Sequence, residues 1–187
     1  MKKPAFPFFL LILALASLAC TLSLGGPDYP TDPVQISPEA AQNLQDQVRQ
    51  AVESGAVGGT VVFQFSESQL TSYLAARLTQ DGSQLLTDPK VLLRDGQIQV
   101  FGKLKEGVFT ANAAVILSAG VDSTGKPKIE IVSADFGPLP APQALNGLVS
   151  SFIDEAYTGS LGPAATGFRL ENITIADGIM TLTGRFK

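Results

Sequence analysis

Catalysis by side chains needs titratable or nucleophilic groups in convergent sets, and this sequence is poor in them. It has no histidine and a single cysteine, Cys20. Without histidine there is no Ser-His-Asp set, no Cys-His pair and no histidine-based zinc site. Asp154-Glu155 is the one adjacent carboxylate pair. It falls on a predicted helix, opposite or beside the apolar stripe, where a solvated surface pair is favoured over an acid/base dyad. Gly58-Gly59 does not continue into a phosphate loop, and no Asp-x-Asp-x-Asp-Gly spacing supports calcium. No catalytic residue, metal or cofactor is therefore expected.

The reactive group that remains is the Cys20 thiol, and its setting assigns it a task. Lys2 and Lys3 precede an apolar run from Phe6, which ends in small residues at the cysteine. That is the pattern of a secretory signal. Ser17-Leu18-Ala19-Cys20 resembles the bacterial lipoprotein cleavage box, although leucine is commoner than serine at its first position. The resemblance implies cutting before Cys20 and a diacylglyceryl group on its sulfur, so that the membrane is a partner through Cys20. Residues 1–19 would then be a signal peptide. The alternatives are an ordinary signal with an incidental cysteine, or an uncleaved anchor helix. In a bacterium the glycosylation pattern Asn172-Ile173-Thr174 carries little weight.

Removal of residues 1–19 leaves 168 residues, enough for one domain with a sizeable core. Eleven basic residues then face 17 acidic ones, a net charge of −6. An acidic body has no electrostatic reason to seek nucleic acid, or to bind anionic head groups broadly. With one cysteine there is no disulfide framework. No later apolar run approaches the roughly 20 residues of a spanning helix.

The elements that would position any site follow in order. Residues 20–36, with Gly25, Gly26, Pro27, Pro30 and Pro33, read as the lipidated cysteine and a flexible tether. From 37 to 187 the chain reads as one α+β domain. A helix is predicted from Ser37, with Pro38 at its first position, Ala41, Leu44 and Val48 on one face, and Gly55 as its stop. Thr60–Phe65 alternates as a strand and runs into Ser66-Glu67-Ser68-Gln69, a capping box. The helix that follows carries Leu70, Tyr73, Leu74 and Leu78.

Strands are predicted over Lys90–Arg94, Gln97–Lys105, Val108–Ala119 and Lys128–Phe136. Their short connections, Asp95-Gly96 among them, make neighbouring strands antiparallel. Phe136-Gly137-Pro138-Leu139-Pro140 ends that run. A third helix from Pro142 bears Leu145, Leu148, Val149, Phe152 and Ile153, the strongest apolar stripe in the chain. Phe168–Ala176 and Ile179–Phe186, joined by Asp177-Gly178, complete the chain, with a bulge expected near Glu171-Asn172. Residues 95–103 resemble 177–185 as a weak internal repeat, for which two similar hairpins are the simpler explanation. Small residues (Gly102, Ala111, Ala113, Ala119, Gly184) either admit close packing or leave room for a ligand; the residues alone favour close packing.

The helix opening Phe65–Leu74, the strand around Asp95–Val100, the Phe136–Pro140 turn and the final Ile173–Gly184 hairpin occur in a familiar order. Over about residues 58–187 the chain resembles the LmeA-like phospholipid-binding proteins. These are similar in turn to the tubular lipid-binding (TULIP-like) superfamily. The resemblance implies a curved antiparallel β-sheet wrapped around amphipathic helices, sheltering a phospholipid or fatty-acyl chain. It brings no catalytic residues. By position, Leu70, Leu74, Leu148, Phe152 and Ile153 would line the groove. The expected function is non-enzymatic binding of a lipid or other apolar ligand at the bacterial cell envelope, on the extracytoplasmic side. The rival reading is a structural or interaction lipoprotein whose core is filled and whose surface meets an envelope partner. A carboxylate hydrolase is a distant third.

Overall fold

A computed structural model describes residues 22–55, 59–80, 86–139 and 168–186. The third predicted helix, with Leu148, Phe152 and Ile153, and Cys20, the expected lipidation site, lie outside the described residues. Within the described residues ten elements are seen. They are β1 (Leu22–Ser23), α1 (Pro38–Gly55), β2 (Thr60–Ser66), α2 (Glu67–Gln80), β3 (Leu86–Arg94), β4 (Gln97–Glu106), β5 (Phe109–Val121), β6 (Pro127–Asp135), β7 (Phe168–Ala176) and β8 (Ile179–Phe186). The class is α+β in a single domain: two open sheets, antiparallel apart from the two-residue β1, with the two helices of the described residues packed on them.

Local chemistry accounts for most of the boundaries. The Ser37 hydroxyl accepts the Ala40 N–H at 3.1 Å and starts α1 ahead of Pro38. At α2 the capping box is closed in both directions. Ser66 N–H donates to Gln69 Oε1 at 3.0 Å, and Gln69 N–H donates to Ser66 Oγ at 3.2 Å. Both Asp-Gly turns have positive φ at each residue: 54° and 72° at Asp95-Gly96, 52° and 75° at Asp177-Gly178. That geometry matches the twist of a two-residue hairpin. The register of β7 on β8 shifts between Leu170 and Asn172, where the bulge was expected.

The first sheet has the order β1-β5-β4-β3, and β6 also pairs with β5. β4 occupies one edge of β5. The short β1 and the longer β6 share the other edge, at Phe109–Thr110 and Ala114–Val121 respectively. The second sheet has the order β2-β8-β7. Its inner face sets Phe63 and Phe65 against Leu44 and Val48 of α1. β7 joins the sheets by touching both β3 and β5, and Leu170 N–H donates to the Gly125 carbonyl at 2.9 Å.

β3 begins at Leu86, four residues before the predicted start at Lys90. Asp88-Pro89 hides this in the sequence. Pro89 has no N–H for the ladder, Asp88 takes φ 49°, and the register slips between Thr87 and Lys90.

Residues 22–35, read from composition as part of a flexible tether, are strapped along the first sheet. Leu24 N–H donates to Thr110 O and Asn112 N–H to Gly25 O, each at 2.8 Å. The Asn112 side chain reaches Pro27 O at 3.1 Å. Lys90 Nζ donates to the carbonyls of Pro30 and Asp32 at 2.6 and 2.7 Å. Tyr29 donates to Asp88 O at 2.6 Å and meets Phe101 edge-on, with the centroids 6.5 Å apart. The physical reason is that most of these bonds use strap backbone, so glycine and proline content does not keep the segment free. Burial, followed by the Asp88 charge, raises the Tyr29 hydroxyl above its ordinary pKa, with Lys103 opposing. The hydrogen bond to Asp88, 2.7 Å from Lys103 Nζ, raises the Lys103 ammonium in turn.

Candidate functional site

Strand alternation divides the first sheet into two chemically different faces. One carries Lys90, Gln97, Gln99, Lys103, Asn112, Ser118, Lys128 and Glu130. The register places apolar residues together on the other: Val91 beside Val100, Val100 beside Val115, Ile98 beside Leu117, and Leu117 beside Ile131. Ala119 lies beside Ile129 in the same row. This apolar face spans β3, β4, β5 and β6.

The α2 helix covers half of it. Leu74 and Leu78 are buried against Val91, with Leu70, Ile98 and Val100 around them. The contact is fixed by a buried hydroxyl, since Thr71 Oγ1 accepts the Val91 N–H at 2.9 Å. Beyond β4 the cover ends among the described residues. Val115, Leu117, Ala119 and Ile129 are half-buried, and Ile131 is 52 % exposed. Val132, the extra residue where β6 slips against β5, is 53 % exposed. Among the described residues the result is an apolar trough with a sheet floor and α2 along one side, while β7 touches β3 and β5.

The two ends of the trough differ. Towards the β4–β5 hairpin, Leu104 and Ala113 are buried with Leu86, Phe136 and Leu139. Here a Cβ on Gly102 would lie 2.5 Å from Leu86 Cδ1, so the missing side chain admits leucine. At this end the small residues serve close packing. At the other end an open cavity of about 590 Å³ is lined by Val121, Asp122, Gly125, Arg169, Leu170, Glu171 and Arg185. Arg185 Nε pairs with Glu171 Oε1 at 2.8 Å. The Arg169 stem crosses Gly125, where a Cβ would collide with Arg169 Cγ. Asp122 Oδ1 accepts the N–H groups of Thr124 and Lys126, and its pKa lies below the usual carboxylate range, the Lys126 bond being the largest cause. Two arginines against two carboxylates leave this end polar without net charge, suited to hydrogen-bonding a ligand's polar group.

Of the five lining residues expected from sequence, the structure places two. Leu74 is 6 % exposed inside the α2–sheet contact, and Leu70 is half-buried between the two helix-packed clusters. Both belong to the covered half. Leu148, Phe152 and Ile153 lie outside the described residues, as does Cys20. The open half is built by Val115, Leu117, Ile129 and Ile131, which sequence reasoning did not single out. Their signal was available in the alternation of Lys128, Ile129, Glu130 and Ile131. Among the described residues no group of three or more Cys, Asp or Glu is placed to hold a metal ion, and no helix is long and apolar enough to cross a membrane.

No protein-family model matches the sequence. No curated protein matches it either. Among solved structures the chain is similar to one described as the crystal structure of lipopolysaccharide binding protein. The identity is 11%, the TM-score 0.29, and the match covers 80% of this chain and 47% of that one. The chain thus spans about half the length of that neighbour.

Proposed function

We propose that this chain is a membrane-anchored bacterial lipoprotein that binds a lipid or other apolar molecule at the extracytoplasmic face of the envelope, without catalysis. The observation that carries the reading is the apolar face that α2 covers only in part among the described residues: Val115, Leu117, Ile129 and Ile131 form a floor beside the α2 wall. An acyl chain laid there removes apolar surface from water on both partners, at about 25 cal/mol per Å². Contiguous apolar surface of this kind marks a binding site more often than chance exposure. The Arg169 end would meet the ligand's polar group. Anchorage at Cys20 would keep the trough within reach of the bilayer that supplies the ligand. The LmeA-like resemblance points the same way.

The test uses the chain from residue 20 with Cys20→Ser, gently extracted and analysed by native mass spectrometry, then titrated with a fluorescent fatty acid. A co-purifying mass in the lipid range, removable by organic solvent, is expected. Ile131→Asp should weaken uptake roughly tenfold or more, because an unpaired carboxylate against an acyl chain costs above the ~1.4 kcal/mol of one decade. Val62→Asp, at a residue 56 % exposed on the other sheet, should leave uptake unchanged. A clean apoprotein that refuses every added lipid would sink this reading. It would favour the filled-core interaction lipoprotein, for which the packing of Leu86 over Gly102 already speaks at one end of the trough.

A further inference from the structure

The tip of the β4–β5 hairpin is apolar where turn chemistry calls for polar residues. Glu106 pairs with Phe109, so Gly107 and Val108 form a two-residue turn with Gly107 at φ 60°. Such positions favour Gly, Asn, Asp or Ser. Val108 is instead 59 % exposed, and Phe109 beside it is 40 % exposed. Leu24, 36 % exposed, adds a third apolar side chain nearby through its N–H bond to Thr110.

The strap gives this tip a direction. β1 runs parallel to β5, with Leu22 opposite Phe109 and Ser23 opposite Thr110. Leu22 therefore lies at the end of the sheet that carries Gly107 and Val108. Cys20 is two residues further on, at most about 7 Å from Leu22 along even a fully extended backbone. An anchor at Cys20 is held within that reach, because the segment from Leu22 onward is bonded to the sheet rather than free.

We propose that the Val108–Phe109 tip, with Leu24, is a membrane-contact surface that enters the lipid interface beside the anchor and fixes the orientation of the domain. This rests on the membrane attachment proposed above. The partner is the bilayer surface itself: the tip is small, apolar and adjacent to the point where the chain is tied to lipid. Shallow insertion of a few apolar side chains next to a lipid anchor supplies the second signal that stable attachment requires. The domain then stands with the strands of the first sheet rising from the membrane and the β7 end pointing away.

The absence of tryptophan makes the test direct. Val108→Trp gives the full chain a single indole at the tip, and Val62→Trp gives one on the second sheet. Each variant is produced in bacteria, extracted in mild detergent and reconstituted into phosphatidylcholine vesicles with brominated acyl chains. The expected result is a blue-shifted emission from the tip indole, strongly quenched by the brominated lipid. Emission from the indole on the second sheet should be unshifted and unquenched. Phe109→Trp repeats the measurement if the Val108→Trp variant folds poorly by circular dichroism. Flotation with the vesicles and the mass of the extracted chain report attachment and acylation separately. A floating, acylated chain in which the two indoles are equally quenched, or equally unquenched, would overturn the contact surface while leaving the anchor intact. Quenching of the tip indole in a chain that carries no acyl group would uphold the surface and overturn the Cys20 assignment.

Discussion

Glu67 and Arg94 form an ion pair that ties the first turn of α2 to the end of β3. The same Glu67 oxygen accepts the N–H of Leu93 at 2.7 Å, and Leu93 is fully buried. Glu67 N–H donates to the carbonyl of Gly178, in the hairpin between β7 and β8, at 3.3 Å. One residue therefore gathers the capping-box helix, the first sheet and the second. Its carboxylate also sits at the positive end of the α2 dipole.

Glu67→Ala should destabilise the chain by about 1–3 kcal/mol, the cost of leaving a buried N–H without its acceptor. Glu67→Gln retains an acceptor oxygen and gives up the charge. With Arg94 44 % exposed, the ion pair itself is worth less than the backbone bond, so the glutamine variant should lose less than half as much. Urea unfolding of the two variants decides this. Equal losses would mean that charge rather than the Leu93 bond fixes the joint.

What was legible in the sequence is what side chains write locally. Asp95-Gly96 and Asp177-Gly178 announce their turns because few residues accept positive φ twice in succession. Ser66 and Gln69 announce a helix start, and the slip between Leu170 and Ile173 announces a bulge. The strap was not legible, because its bonds run from Lys90, Asn112 and Thr110 to backbone atoms that any residue carries. Thr71 and Ser72 were equally silent. Both are buried, at 0 % and 2 %, and their hydroxyls accept the N–H groups of Val91 and Ser37. Only the fold brings those partners to them. The open half of the trough was half legible: the alternation of β6 was visible, but which strand lies beyond the helix cover is a matter of sheet order.

Acid should act on the β5–β6 turn through Asp122. Its Oδ1 accepts the Lys126 N–H at 2.9 Å and the Thr124 hydroxyl and N–H at 2.7 Å, and these bonds hold its pKa below the ordinary value. As pH falls the unfolded chain takes up this proton first. The contribution is therefore complete above the unfolded carboxylate value of about 4 and is lost as pH drops through the lower folded value. Asp122→Asn retains an acceptor and loses the titration. The melting temperature of the native chain should exceed that of the variant at pH 7, and the gap should close below about pH 4. A gap that stays constant from pH 7 to pH 3 would show that the charge is not what holds this turn.

The strap depends on the absence of a side chain at Gly26. Its φ is 117°, a region essentially reserved for glycine, and a Cβ there would collide with the Asn112 carbonyl oxygen. Gly25 also has positive φ, 83°, but a Cβ there would meet nothing within 4 Å. Alanine at either site carries backbone strain of about 1–3 kcal/mol. Only at Gly26 is a collision with backbone added, and neither partner in it is a flexible side-chain end. Gly26→Ala should lift the strap from β5 while the sheet survives. Amide exchange at Leu24 and Asn112 should accelerate by well over the factor of about ten that ~1.4 kcal/mol represents. Exchange in β4 should stay slow, because its bonds to β3 and β5 do not involve the strap. Gly25→Ala should produce a smaller acceleration at the same two amides. If the two variants behave alike, strain rather than the Asn112 contact holds the segment. If neither changes the exchange, the strap is not bonded to β5 in solution, and the short link from Leu22 to the proposed anchor at Cys20 regains the slack of a free tether.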